Sequence, residues 1–213
     1  MFTQKTDILR ECSLTIDIDE FVKFYLTFAN KSLNHLGIHS ENVSIVASCL
    51  AKEIGYNSAE MLLIKYAGLL HDIGKLFVPA EILNSARALT SIEFEIIKTH
   101  ASFGYGVLDN FKTLPKDIKY FAYEHHYRQG YGYPKQLLYN DGVDKVLVDI
   151  LTIADSFSAI MEPRVYKRQL TEQEAYTIMT DDTNEKNKGL NLEVLEALKY
   201  LIEKQKITLK DFF

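Results

Sequence analysis

The sequence predicts an all-α protein, a single-domain helical bundle, and three observations carry that reading. Segments with apolar residues at helical spacing follow one another along most of the 213 residues. Four prolines and ten glycines punctuate them. No stretch has the apolar–polar alternation of a half-buried strand, and there is no internal repeat or low-complexity tract.

The helices follow in order. Residues 19–34 put Phe21, Phe24, Tyr25, Phe28 and Leu33 at helical spacing, a stripe that reads as core or as a homodimer seam. Ser40 is expected to cap a second helix over 41–54, with Val43, Val46, Ala47 and Leu50 inward and Gly55 as its stop. A third helix, 58–70, is apolar on most sides and is expected to cross the core. It delivers the chain to His71-Asp72-Ile73-Gly74-Lys75. Thr90-Ser91-Ile92-Glu93 fits a capping box that opens a helix to about Leu108. Pro115 suits the first turn of another, which reaches His125-His126. Residues 127–144 hold Gly130, Gly132, Pro134 and Gly142 and read as an ordered loop. Further helices are expected over 145–161, 171–180 and 190–204, with a polar, exposed connection at 181–189.

Composition narrows the class. Hydrophobic residues at 47% and charged residues at 25% form a globular balance, not a disordered or fibrous one. The net charge of -5 argues against a DNA-binding or anionic-membrane surface, since either polyanion would be repelled overall. Cys12 and Cys49 form neither a metal-binding nor a redox spacing and suit a reducing compartment. The start, MFTQKTDILRECSL, lacks a basic stretch followed by an apolar run. No apolar stretch approaches the roughly 20 residues of a spanning helix. The expectation is a soluble, cytoplasmic protein with no membrane partner.

The histidines carry the chemical signal. All six lie between residues 35 and 126. His71 is followed at once by Asp72, and His125 by His126. At a helix end such neighbours diverge by about 100° and can serve two nearby ions. Asp155 sits in the apolar segment LTIADSFSAIM, where a buried carboxylate needs a positive partner; a metal supplies one, and a helix-internal hydrogen bond is the plainer alternative. Taken singly, each histidine is an ordinary core or surface residue. Five histidines with two aspartates, nearly all flanked by helix-forming apolar sequence, point together to a metal site. Imidazole with carboxylate suits zinc, iron, manganese or nickel rather than calcium.

At LLHDIGK (69–75) the chain resembles the HD phosphohydrolase superfamily, named for that His-Asp pair. EILNSARALTSIEFEIIKTHASFG (81–104), EHHYRQGYGYP (124–134) and IADSFSAIMEPRVYK (153–167) are similar, in the same order, to segments of its HD-GYP branch. The resemblance implies an HD-superfamily bundle over residues 36–213, preceded by a helical extension of residues 1–35. It further implies a phosphodiesterase that hydrolyses cyclic di-GMP with two divalent metals, iron or manganese. Carried over by position, His39, His71, Asp72 and Asp155 would hold one ion. Asp72 would bridge to a second, completed by His100, His125 and His126. Lys75 would meet the scissile phosphate, with Arg164 and Arg128 on phosphate oxygens. Some members hold a third metal with a Glu four residues before the first histidine. Here that residue is His35, and Gly37 between it and His39 favours reading it as a surface or core histidine.

The chain departs from the branch in its loop. Tyr127 stands for the usual Glu, Gln129 for an Asp, and HHYRQGYGYP is one residue short. Ser85-Ala86-Arg87 and Gln136 are further departures. None removes an expected ligand; they bear on substrate and partner. Tyr131 and Tyr133 could stack on a guanine base or pack on the core, and the 127–134 loop could dock signalling proteins. Two other readings stand beside the leading one. One is a phosphohydrolase for another cyclic dinucleotide or nucleotide; the other is a non-catalytic nucleotide-sensing or docking module.

Overall fold

The computed structural model describes residues 17–33, 35–128, 131–135, 137–138, 144–162, 168, 170–181, 183–184 and 187–209. Nine α-helices are formed among them: α1 Ile18–Ser32, α2 Leu36–Ile54, α3 Ser58–Leu70, α4 Ala80–Leu83, α5 Ser91–Asp109, α6 Asp117–Glu124, α7 Lys145–Met161, α8 Glu172–Met179 and α9 Leu192–Glu203. A short 3-10 helix, Ile73–Phe77, follows α3. None of the described helices is long and apolar enough to cross a membrane.

Local chemistry sets most boundaries. Asn57 and Glu60 form a capping box at the start of α3, and Thr90 and Glu93 form the expected one at α5. Gly55, at φ 103°, closes α2 in the left-handed conformation that favours glycine.

The start of α2 differs from the sequence expectation. The helix begins at Leu36, not after Ser40, and Ser40 is buried within it. The cap comes from another helix: the Asn30 side chain of α1 accepts from the Ile38 amide at 3.0 Å. Gly37 lies in the first turn and does not interrupt the helix.

The aromatic stripe of α1 also divides. Val22, Tyr25 and Ala29 are buried, whereas Phe24 is 70% and Phe28 48% exposed. The inward face is therefore rotated away from the two phenylalanines, and α1 comes close on α2 where the Asn30 side chain packs over Gly37.

Two apolar clusters build the interior. One joins Leu50 of α2, Ile64 of α3, Leu151 and Phe157 of α7 and Leu198 of α9. The other joins Tyr25 and Ala29 of α1, Leu70 of α3 and Ile118 of α6. They meet along α3, which gives Ile64 and Ala67 to the first and Tyr66 and Leu69 to the second. α3 thus crosses the core, as its all-round apolarity predicts.

The described residues of the 127–144 segment include a departure from the all-helical pattern. Tyr127–Arg128 (β1) pairs antiparallel with Tyr131–Gly132 (β2), Tyr127 opposite Gly132 and Arg128 opposite Tyr131. Two residues per strand are too few for alternation to register in sequence.

Candidate metal centre

Five helices converge on one buried cluster. His39 comes from α2, His71 from the end of α3, His100 from α5, His125 from the end of α6, and Asp155 from α7. Asp72 follows His71, and His126 follows His125. His71, Asp72, His100 and His125 are each at most 1% exposed.

Backbone carbonyls orient three of the rings. Nδ1 of His71 meets Gly68 O at 2.8 Å, Nδ1 of His100 meets Ile97 O at 2.6 Å, and Nδ1 of His125 meets Ala122 O at 3.0 Å. A carbonyl only accepts, so each Nδ1 carries the proton. Each Nε2 then keeps its lone pair, the form in which imidazole binds metal.

Those Nε2 atoms surround the two aspartates. Oδ2 of Asp72 is 3.2 Å from His71 Nε2 and 3.7 Å from His39 Nε2. Oδ1 of the same carboxylate is 3.3 Å from His100 Nε2 and 3.8 Å from His125 Nε2. Asp155 turns Oδ1 to His39 Nε2 at 3.1 Å and Oδ2 to His126 Nδ1 at 3.6 Å. The donor atoms form close groups within 4.8 Å: His39 with His71 and Asp72, His100 with His125 and His126, and His71 with His125 and Asp155.

The cluster's electrostatics suit cations. Burial alone would raise the Asp72 carboxyl, yet Lys75, His71 and His100 hold it well below the usual carboxylate range. Asp155 is likewise held low against its burial, by His39 and His126. Burial pushes His100 and His125 down and takes His126 to about 3, so these rings are neutral near pH 7. His39 runs the other way: burial opposes its charge, but Asp155 and Glu162 raise it to about 10, so a cation bound at Nε2 would have to displace the proton that the ring otherwise holds between these carboxylates.

Nε2 of His39, Nε2 of His71 and Oδ1 of Asp72 are buried without a hydrogen-bond partner among the described residues, and Nδ1 of His39, though 2.5 Å from Glu162 Oε1, is not in hydrogen-bond alignment with it. Leaving such groups unsatisfied is costly. Divalent cations would satisfy the first three, and the nitrogen–oxygen donor set fits first-row transition metals. These residues fit a metal.

One glycine makes the convergence geometrically feasible. A Cβ on Gly74 would lie 1.9 Å from His100 O and 2.5 Å from Gly104 N. The 3-10 turn carrying Asp72 therefore packs backbone to backbone on α5.

The remaining sequence candidates sit around this core. Lys75 pairs with Oδ2 of Asp72 and lines a cavity of about 300 Å³ with His39, His126, Asp155 and Glu162. Arg128 is half-buried on β1, and its Nε has no hydrogen-bond partner among the described residues. His35 is exposed at φ 66°, lines the same cavity and joins none of the donor groups. Tyr133 packs on His126 with ring centroids 4.5 Å apart, whereas Tyr131 is 41% exposed. Gly132 permits the hairpin beneath them, because a Cβ there would come within 2.0 Å of His126 O. Arg164, Gln129 and Gln136 lie outside the described residues. Glu162, at the end of α7, meets Nδ1 of His39 at 2.5 Å.

The family model for the HD domain matches residues 25–187. The chain belongs to the HD domain family. It is 35% identical over 143 residues to a cyclic di-GMP phosphodiesterase of Thermotoga maritima, covering 65% of this chain and 38% of that one. It is 31% identical over 148 residues to the 3'3'-cGAMP-specific phosphodiesterase 3 of Vibrio cholerae, covering 68% of this chain and 31% of the relative. The HD domain of the L. monocytogenes phosphodiesterase PgpH, solved in complex with cyclic-di-AMP, superposes with a TM-score of 0.56 at 20% identity, over 85% of this chain and 96% of that one. At that identity the likeness speaks for the fold alone. The chain spans less than half the length of the two curated relatives.

Proposed function

We propose that the protein is a metal-dependent phosphodiesterase of HD-GYP type that hydrolyses a cyclic dinucleotide, cyclic di-GMP foremost. The observation that carries this reading is the Asp72 carboxylate, whose Oδ2 faces His39 and His71 while Oδ1 faces His100 and His125. One carboxylate between two sets of imidazoles is the arrangement a bridging ligand needs. On this reading His39, His71, Asp72 and Asp155 hold one ion, and Asp72, His100, His125 and His126 the second. Iron and manganese suit the donor set. Such an ion pair, when bound, activates water for in-line attack and neutralises charge on the phosphoryl oxygens.

The chain's own groups do the rest. Lys75, held over Asp72, presents a compact positive charge at the cavity where negative charge develops on phosphate oxygens. Arg128 offers a guanidinium to a further phosphate oxygen. Both would position a diester whose ribose and base run along the cavity wall of Leu33, Leu36 and Leu83.

The test is incubation with cyclic di-GMP under low oxygen without chelators, products being resolved by chromatography, with Asp72→Ala as control. Linear dinucleotide or GMP from the wild type alone supports the proposal. Bound metal without turnover of this substrate overturns the cyclic di-GMP assignment. The likeness to a 3'3'-cGAMP-specific enzyme makes 3'3'-cGAMP the second substrate to try.

A further inference from the structure

His39 differs from His71, His100 and His125 in what its second nitrogen meets. His71, His100 and His125 each turn Nδ1 to the carbonyl three residues earlier. Nδ1 of His39 lies 2.5 Å from Oε1 of Glu162 instead. The ring is therefore held between two carboxylates of one helix, with Asp155 Oδ1 at 3.1 Å from Nε2.

Glu162 is placed there by the end of α7. Its amide donates to Ser158 O at 3.1 Å, closing the last turn. Residues 155 and 162 are seven apart, two turns of helix, so both carboxylates lie on the face turned to α2. The His39 side chain is 7% exposed and that of Glu162 32%, so the contact is sheltered on the imidazole side and open to the cavity on the other.

We propose that Glu162 is a positioning residue for the metal centre. Its carboxylate accepts from Nδ1–H of His39, keeps the proton on that nitrogen and so fixes Nε2 as the lone-pair donor toward the ion shared with His71, Asp72 and Asp155. The inference rests on the metal reading above. A carboxylate does more for a ligand ring than a carbonyl, because its charge makes the imidazole more basic and a stronger donor. One ion thus receives a charge-assisted ring, whereas the His100 and His125 rings of the other are oriented by neutral carbonyls. A free carboxylate would repel a phosphodiester entering the cavity; engagement by His39 turns that charge toward the protein.

Equilibrium dialysis of the full chain against buffered free Mn²⁺, with wild type, Glu162→Ala and Glu162→Gln, tests the assignment. In Glu162→Ala one Mn²⁺ should bind about 10- to 100-fold more weakly, while the other changes by less than about twofold. Glu162→Gln keeps an oxygen acceptor without the charge and should fall between the wild type and Glu162→Ala. His39→Ala identifies the ion concerned, and Glu162→Ala added to it should cost nothing further. Unchanged affinity for both ions in either variant overturns the assignment. So does an equal loss at both sites in Glu162→Gln, which is close to isosteric and decides the matter if Glu162→Ala does not fold. A wild type that takes up no Mn²⁺ overturns the metal reading itself, an outcome distinct from full uptake by the variants.

Discussion

Gly74 packs against the carbonyl of His100 so closely that a methyl group there would stand 1.9 Å from the oxygen. Two backbones touch at this point, with no flexible side chain to yield. The contact sets how near Asp72, two residues before Gly74, comes to the His100 ring.

Gly74→Ala should therefore destabilise the protein by about 1–3 kcal/mol and reduce metal uptake as the turn moves away from α5. Gly106→Ala is the control on α5, since a Cβ there would meet nothing within 4 Å. It should be neutral or gain about 0.5–1 kcal/mol from helix propensity. Denaturant unfolding of both variants checks the pair, and equal effects would sink the close-approach argument.

Metal removal gives the second prediction. Buried, unsatisfied atoms on His39, His71 and Asp72 are satisfied in the folded state when cations are present. Mn²⁺ at a hundredfold excess over Kd should add about 3 kcal/mol per site, raising Tm by about 10–20 °C over the chelated protein when both sites fill. Thermal melts with and without EDTA measure this. A Tm indifferent to both Mn²⁺ and chelator would mean the cluster holds no ion.

Much of this cluster was legible because its histidines and aspartates announce themselves locally. His71-Asp72 and His125-His126 are sequence neighbours at helix ends, and capping boxes and glycines mark several of the helices that carry the clustered residues. What escaped notice depends on contacts between helices. The cap of α2 comes from Asn30, eight residues before the amide it satisfies, so Ser40 looked like the natural start. The buried face of α1 takes in Ala29, which hydrophobicity alone ranks below the exposed Phe28, and only the packing against α2 decides between them. Glu162 reads as a helix-end charge until α7 is packed against α2.

Lys75→Ala tests the phosphate side of the proposed chemistry. Lys75 touches Asp72 and lines the cavity but contributes no metal-binding atom. Its removal should leave metal stoichiometry unchanged and lower kcat by about 100- to 1,000-fold, as expected for a preorganised charge at the reacting phosphate. Steady-state kinetics on metal-replete protein separate this from a binding defect. A rise in KM with kcat intact would assign Lys75 to substrate binding alone.

Asp149 offers a pH test away from the site. It is half-buried on α7, and its Oδ2 accepts from Asn191 Nδ2 at 2.8 Å. Burial, with a smaller push from Asp144, raises its carboxyl above the ordinary value despite the Asn191 hydrogen bond. The folded protein therefore keeps this proton to higher pH than the unfolded chain does. Its contribution is fully present below the unfolded value, near pH 4, and declines as pH rises through the higher folded value. Asp149→Asn keeps an oxygen for Asn191 and removes the ionisation. It should be more stable than the wild type at pH 7 by less than about 1 kcal/mol, given partial solvent screening. The gap should close as pH falls toward about 4, where both residues are uncharged. Melting curves of the two proteins across that range decide the matter, because a gap independent of pH would place the effect in packing rather than in charge.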